Sequence, residues 1–279
     1  MLSFIYFDPS PAIFSFPLPL LGRPLLWYGF FFALGCLLGY CVLLQVLKQE
    51  IRKQFALHAK HITDKLSSYI LWSTLIGARL GDVLFYQDPG QIWHDPAVIF
   101  RVWEGGLASH GGVIGLFIGA LLFAKIYKKE FPSLHWRDVL DWLCYPAGVV
   151  AAFIRLGNLM NQEILGTPTQ LPWAFVFGHP CCGLSSVPRH PVQLYEALFY
   201  LLLFCILCGF RKKIAWPKGK LAGSVLLCFF LFRFFIETLK EEQSLWMLSL
   251  SSPFLMGQWL SLPFILFSLY LLLFKAPAK

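Results

Sequence analysis

Arg155, Asn158, Asn161 and Glu163 stand within nine residues of one another at the end of a long apolar run. A guanidinium is the preferred side chain for phosphate, because its planar fork donates parallel hydrogen bonds. The two amides add neutral donors and acceptors, and the carboxylate can orient or neutralise the cation. A charge at bilayer depth costs about 2.5–3.5 kcal/mol on insertion scales, so such a group is retained for a purpose. That purpose is either a bound anion or an ion-pair cluster that closes the helix end, and these four residues alone leave both open.

Other groups carry similar chemistry. Ser109-His110-Gly111-Gly112 sets an imidazole, which titrates near neutral pH, among glycines. The glycines admit a close ligand or a close helix, with equal weight on either reading. In His190-Pro191-Val192-Gln193-Leu194-Tyr195-Glu196, Pro191 suits a first helical turn and Glu196 follows one turn later. A capped helix start whose glutamate complements the helix dipole explains the proline, but not Gln193, Tyr195 and Glu196 together. Arg233 and Glu237 share a helix face at i,i+4 spacing, where a plain intrahelical pair is the simpler account. Arg79 and Asp82, at i,i+3, are read as structural. Six of the eight cysteines fall in apolar runs, where a thiol packs as a small apolar group. Cys181-Cys182, between His179 and His190, is read as a vicinal pair in a loop rather than a metal site.

The elements that must position these groups are apolar helices. The chain is 57% hydrophobic and 14% charged, and a helix needs roughly 20 apolar residues to cross a bilayer. Seven runs qualify, at 25–47, 67–86, 107–124, 138–156, 193–210, 221–239 and 255–274, the third and fourth diluted by glycine and polar residues. The expected fold class is an all-α integral membrane protein with seven transmembrane helices, forming one membrane domain over 1–279. An N-terminal arm, 1–24, is broken by Asp8-Pro9-Ser10-Pro11 and Phe16-Pro17-Leu18-Pro19 and is expected to rest in the outer interface. With its first basic residue at Arg23, this arm lacks the charged start of a cleavable signal peptide. The segment 157–192 is expected to form a small outer head, and the loop 87–106 to end in Glu104-Gly105-Gly106.

Basic residues orient the bundle. Lys48, Arg52, Lys53, Lys60 and Lys65 follow the first run, Lys125, Lys128, Lys129 and Arg137 the third, Arg211, Lys212, Lys213, Lys218 and Lys220 the fifth, and Lys275 and Lys279 the seventh. The opposite segments hold only Arg23, Arg101, Arg189 and Lys240. Lysine and arginine collect in the cytoplasm, which places the N-terminus outside and the C-terminus inside. The net charge of +8 is then a topology signal with attraction to anionic headgroups, and no nucleic-acid partner is implied. By this topology His110, Arg155, Glu163, Glu196, Arg233 and Glu237 all map to the outer half, as an anionic lipid headgroup would require. A transporter or channel, the main alternative, would string polar groups across the full depth.

These blocks also resemble the bacterial prolipoprotein diacylglyceryl transferases. The resemblance runs from Trp27-Tyr28-Gly29 through Ser109-His110-Gly111-Gly112, Arg155-Leu156-Gly157-Asn158 and the His190–Glu196 block to Arg233 and Met256-Gly257-Gln258. Two positions depart from the family pattern, with Ile154 for a glycine and Leu159 for a phenylalanine, and neither removes a polar group. The resemblance implies transfer of the diacylglyceryl group of phosphatidylglycerol to the lipobox cysteine of a preprolipoprotein signal peptide, with release of glycerol phosphate. It implies a bacterial inner-membrane protein whose partners are phosphatidylglycerol, preprolipoproteins and membrane lipids, with no cofactor and no metal. It points to Tyr28, His110, Arg155, Asn158, Gly166 and Arg233. With these, His110, Arg233 and Tyr28 are the expected catalytic residues. Arg155, Asn158, Asn161, Glu163, Gly166, Glu196 and Glu237 are the expected headgroup-binding residues.

Overall fold

The computed structural model describes residues 4–14, 16, 22, 24–50, 56–85, 89–101, 108–132, 134–211, 213–242 and 252–274. Glu104-Gly105-Gly106, and the basic residues Arg23, Arg52, Lys53, Lys212, Lys275 and Lys279, lie outside them.

The described part of each of the seven apolar runs falls largely in a helix. These are α1 (Trp27–Glu50), α2 (Ala56–Phe85), α4 (Ser109–Tyr127), α5 (Trp136–Met160), α6 (Val192–Phe210), α7 (Lys220–Ile236) and α8 (Met256–Leu273); the short α3 (Pro89–His94) falls between α2 and α4. Among the described residues five helical stretches are long and apolar enough to cross a membrane: Trp27–Gln49, Trp136–Met160, Val192–Phe210, Lys220–Leu239 and Met256–Leu273. Gly111–Tyr127 is apolar but shorter. The long α2 carries Lys60, Asp64, Lys65, Arg79 and Asp82, which dilute its hydropathy.

The chain divides into two units. One comprises the described residues of Leu43–Trp142, and within it α2 packs on α4 through glycine. A side chain at Gly111 would overlap the Gly77 carbonyl oxygen, and one at Gly115 the Ser73 carbonyl oxygen, so the backbones meet with nothing between them. Arg79 pairs with Asp82 at 3.4 Å and donates to the carbonyl oxygens of Ile99, at 3.1 Å, and Val98. This buried guanidinium ties α2 to the Pro96–Phe100 3-10 turn, the structural role expected of it.

The other unit, Met1–Val42 with Leu143–Ala276, holds α6, α7, α8 and most of α5. Stacked rings join its helices: Phe199 lies on Phe232 with centroids 3.8 Å apart, Tyr200 on Phe229 at 4.1 Å, and Phe230 on Phe264 at 4.4 Å. The 157–192 segment adds a small sheet to this helical architecture. Strand β1 (Ile5–Phe7) runs parallel to β2 (Phe175–Phe177), which is antiparallel to β3 (Pro188–Arg189). The N-terminal arm therefore completes the head: Phe7 packs with Leu159, Leu165 and Phe177, and Asp8 accepts hydrogen bonds from Gln162 at 3.0 Å and His179 at 2.6 Å.

Candidate active site

The turn that leaves α5 is unusual in its backbone. Gln162 and Ile164 adopt positive φ values of 51° and 57°. Left-handed backbone is costly for a β-branched residue such as Ile164, and is held only where neighbours determine it. Here the surroundings supply the restraint: Glu163 N donates to Asn158 O at 3.1 Å, Gln193 Nε2 to Glu163 O at 2.8 Å, and Cys181 N to Gln162 O at 3.1 Å. Together they fix the direction of the Glu163 carboxylate.

From that turn a polar network runs across α5, α6 and α7. Asn161 and Asn158 donate to Glu163 Oε1 at 3.4 and 2.8 Å, and Arg155 Nη1 donates to Asn158 Oδ1 at 3.0 Å. Arg155 Nε lies 3.1 Å from Glu196 Oε2, and the Glu196 side chain is 0% exposed. The N–H is off-axis for this oxygen, which accepts no hydrogen bond of normal geometry although it is buried. The other oxygen, Glu196 Oε1, takes the Lys240 ammonium at 3.1 Å and the Tyr200 hydroxyl at 3.3 Å. Lys240 also pairs with Glu237 Oε2 at 3.1 Å. A buried carboxylate demands such partners, since an unpaired charge in a low dielectric costs several kcal/mol.

Tyr28 lies against this assembly. A side chain at Gly157 would come within 2.8 Å of the Tyr28 ring, so the glycine lets the ring sit on α5. There the hydroxyl is within electrostatic range of Glu163 and Arg155. Gly166 has no room for a side chain against the His190 carbonyl oxygen, and its backbone bridges to Lys240. Arg233 is within electrostatic range of Glu196 and Lys240. Among the described residues its side chain has no direct ion pair, and the i,i+4 partner Glu237 has turned to Lys240 instead. Tyr28, Arg155, Asn158, Asn161, Glu163, Gly166, Glu196, Arg233 and Glu237 thus gather in one unit. His110 belongs to the other unit, with its backbone in the first turn of α4; its side chain lies outside the described residues.

Outside the spans, burial pushes the His190 imidazole below its ordinary pKa. The Asp8 carboxyl is lowered chiefly by the hydrogen bond from His179 and then by that from Gln162. His179, which flanks the vicinal cysteines in sequence, is thereby engaged with the arm.

Sequence reasoning missed two members of the network. Lys240 counted only as one of few basic residues on its side, although its i,i+3 spacing from Glu237 was visible. Arg189, 3% exposed, donates to Gly166 O at 3.0 Å and pairs with Glu241 at 2.5 Å, holding the glycine strand to the 240–241 turn. Its partner stands far away in sequence, so no local spacing could reveal it.

The family model for prolipoprotein diacylglyceryl transferase matches residues 16–274. A phosphatidylglycerol–prolipoprotein diacylglyceryl transferase of Porphyromonas gingivalis is 42% identical over 97% of this chain and 94% of its own length. One from Chloroherpeton thalassium is 40% identical, with the same coverage of both chains. Another, from Chlamydia pneumoniae, is 37% identical over 98% of this chain and 96% of its own. With the family model matching almost throughout and relatives aligned end to end, the chain belongs to the prolipoprotein diacylglyceryl transferase family.

Proposed function

We propose that this protein transfers the diacylglyceryl group of phosphatidylglycerol to the thiol of a lipobox cysteine in preprolipoproteins, the first step of lipoprotein maturation. The observation that carries the reading is a buried carboxylate network that braces Arg155 and, among the described residues, makes no direct ion pair with Arg233. Two guanidiniums so arranged suit the phosphate of an anionic lipid, and relatives of this chain bear the name of that reaction.

The cysteine sulfur attacks the glycerol carbon that carries the phosphate ester. A C–S bond forms, the C–O bond to phosphate breaks, and glycerol phosphate leaves with the electron pair. The thiol must first lose its proton, because the thiolate is the nucleophile. His110 is the general base in this scheme, since an imidazole titrates close to working pH. Charge grows on the leaving phosphate as the bond breaks, and Arg155 and Arg233 stabilise it where the dielectric is low. Tyr28, on Gly157, adds a hydroxyl beside Arg155. Asn158, Asn161, Glu163 and Glu196 form the network that holds Arg155 in place, Glu237 balances charge through Lys240 rather than by gripping a guanidinium, and Gly166 keeps the backbone close.

In the membrane the chain has seven spans, with α2 and α4 joining the five long apolar stretches. The N-terminus is outside and the C-terminus in the cytoplasm, following the lysine and arginine asymmetry. The arm (1–24) and the head (157–192) then stand at the outer face of a bacterial inner membrane, where a secreted precursor presents its lipobox.

The test uses purified protein with phosphatidylglycerol and a lipobox peptide, followed by mass spectrometry of the peptide. A diacylglyceryl mass gain is expected. A peptide left unmodified, with lipid flux into proteoliposomes instead, would point to transport and overturn the assignment. A His110→Gln variant that inserts normally is expected to lose transfer by about 100-fold or more, within the usual range for general-base removal. Wild-type rates in that variant would remove His110 from the scheme.

A further inference from the structure

We propose that Lys240 is a positioning residue: its ammonium holds Glu196 and Glu237 so that Arg233 stays unpaired and free for the anionic headgroup. The inference rests on the phosphate-binding role assigned to Arg233 above.

The residue spacing alone predicts a different arrangement. Glu237 follows Arg233 at i,i+4, where opposite charges on a helix attract and pair. In the structure α7 ends at Ile236, Glu237–Leu239 tighten into a 3-10 turn, and Lys240 leaves it in extended conformation. The ammonium then sits 3.1 Å from Glu237 Oε2 and 3.1 Å from Glu196 Oε1, with its side chain 5% exposed.

Two features fix this geometry. The Lys240 backbone is anchored, since it bridges to Gly166, Glu241 N donates to Leu165 O at 3.0 Å, and Arg189 clamps Glu241 at 2.5 Å. On the other side of the carboxylate, Gly257 opens the space that the Glu237 side chain fills. Glu237 is thus drawn by the ammonium into a slot on α8 instead of closing on Arg233. Lys240 likewise occupies one oxygen of Glu196, so that this carboxylate is shared between Lys240 and Arg155 rather than surrendered to Arg233.

A buried ion pair between Arg233 and Glu237 would compete directly with a phosphate for the same donors. Removing Lys240 should create that competitor, and removing the carboxylate as well should abolish it. Deleting both partners of a buried pair can restore stability whatever the pair is for. The discriminating readout is therefore KM for phosphatidylglycerol in protein that accumulates normally, which a merely structural role would leave unchanged.

The experiment measures kcat and KM for phosphatidylglycerol with a lipobox peptide in the wild type, Lys240→Met and the double variant Lys240→Met/Glu237→Gln. Lys240→Met is expected to lose about tenfold or more in kcat/KM, chiefly as a raised KM with kcat little changed, and the double variant to return KM to within about threefold of wild type. A Lys240→Met variant at wild-type rate, or a double variant no better than the single one, overturns the proposal. Should Lys240→Met not accumulate in membranes, the double variant is compared with Lys240→Arg, which keeps the charge. Similar rates in the two then support the proposal, and an inactive or absent double variant overturns it. The wild type separates the two levels of inference: no transfer by it refutes the function, whereas transfer with an indifferent Lys240 refutes the positioning role alone.

Discussion

Glu237 and Gly257 contend for one space: the carboxylate of Glu237 occupies the volume that a side chain at position 257 would need. A Gly257→Ala variant must therefore displace that carboxylate from the position in which it holds Lys240 at 3.1 Å. Transfer to a lipobox peptide is expected to fall about tenfold, as for loss of one positioned polar contact. Gly209→Ala is the reference, since nothing lies within 4 Å of a side chain there, and it should match the wild type in rate and accumulation.

Glu196 is the shared counter-ion of Arg155 and Lys240, and it is fully buried. Glu196→Gln keeps the shape but deprives Arg155 of its carboxylate partner and leaves Lys240 with Glu237 alone. Loss of one partner from a buried ion cluster costs about 3–5 kcal/mol. The variant is expected to unfold at clearly lower temperature in detergent and to accumulate less. An unchanged melting temperature would show that Arg155 and Lys240 find other partners.

The small sheet that joins the N-terminal arm to the 157–192 segment should respond to acid in two steps. Burial lowers the pKa of His190, so the folded state resists its protonation, and the associated stability is complete above the ordinary imidazole range and declines as pH falls through it. Asp8 is held below its ordinary value of 3.8 by His179 and Gln162. Its contribution is complete above that value and disappears as pH falls through the lowered one. Hydrogen exchange at the Ile5 amide, which bonds to Ala174 O at 3.0 Å, should report the loss of the arm. His190→Gln is expected to remove the upper step, and Asp8→Asn to weaken protection at every pH.

The two neighbouring glycines of α4 make unequal demands. A side chain at Gly111 would overlap the Gly77 carbonyl oxygen, whereas one at Gly112 would meet only ordinary contacts at 3.5 Å. Gly111→Ala is expected to cost about 1–3 kcal/mol, the usual range for overpacking, and Gly112→Ala much less. Thermal unfolding of the two variants in detergent checks the difference.

Much of this was legible in the sequence because hydropathy is local. The described part of every apolar run is largely helical, and the Arg155–Glu163 block stands out as polar chemistry on an apolar background. The even choice over Ser109-His110-Gly111-Gly112 falls, for Gly111, on the side of tight helix packing. What escaped depends on contacts between distant residues. Asp8 read as part of a helix-breaking stretch, yet it is bound by Gln162 and His179. Arg233 and Glu237 read as partners by spacing; a third residue, Lys240, separates them, and only the path of the chain after α7 brings its ammonium between two carboxylates.

The parallel pairing of β1 with β2 also sets an order of assembly. Ile5–Phe7 leaves the ribosome well before its partner Phe175–Phe177, which is synthesised only after α5. Contacts of such long sequence separation form late, because the intervening chain must first be placed. The arm has to wait beside the membrane with an unpaired strand edge while the helices are inserted, and edges of that kind readily capture other strands. The charged Asp8 and the prolines that follow it make this waiting segment a poor template for a stranger, so the same residues that later lock the head protect the nascent chain until its own strand arrives.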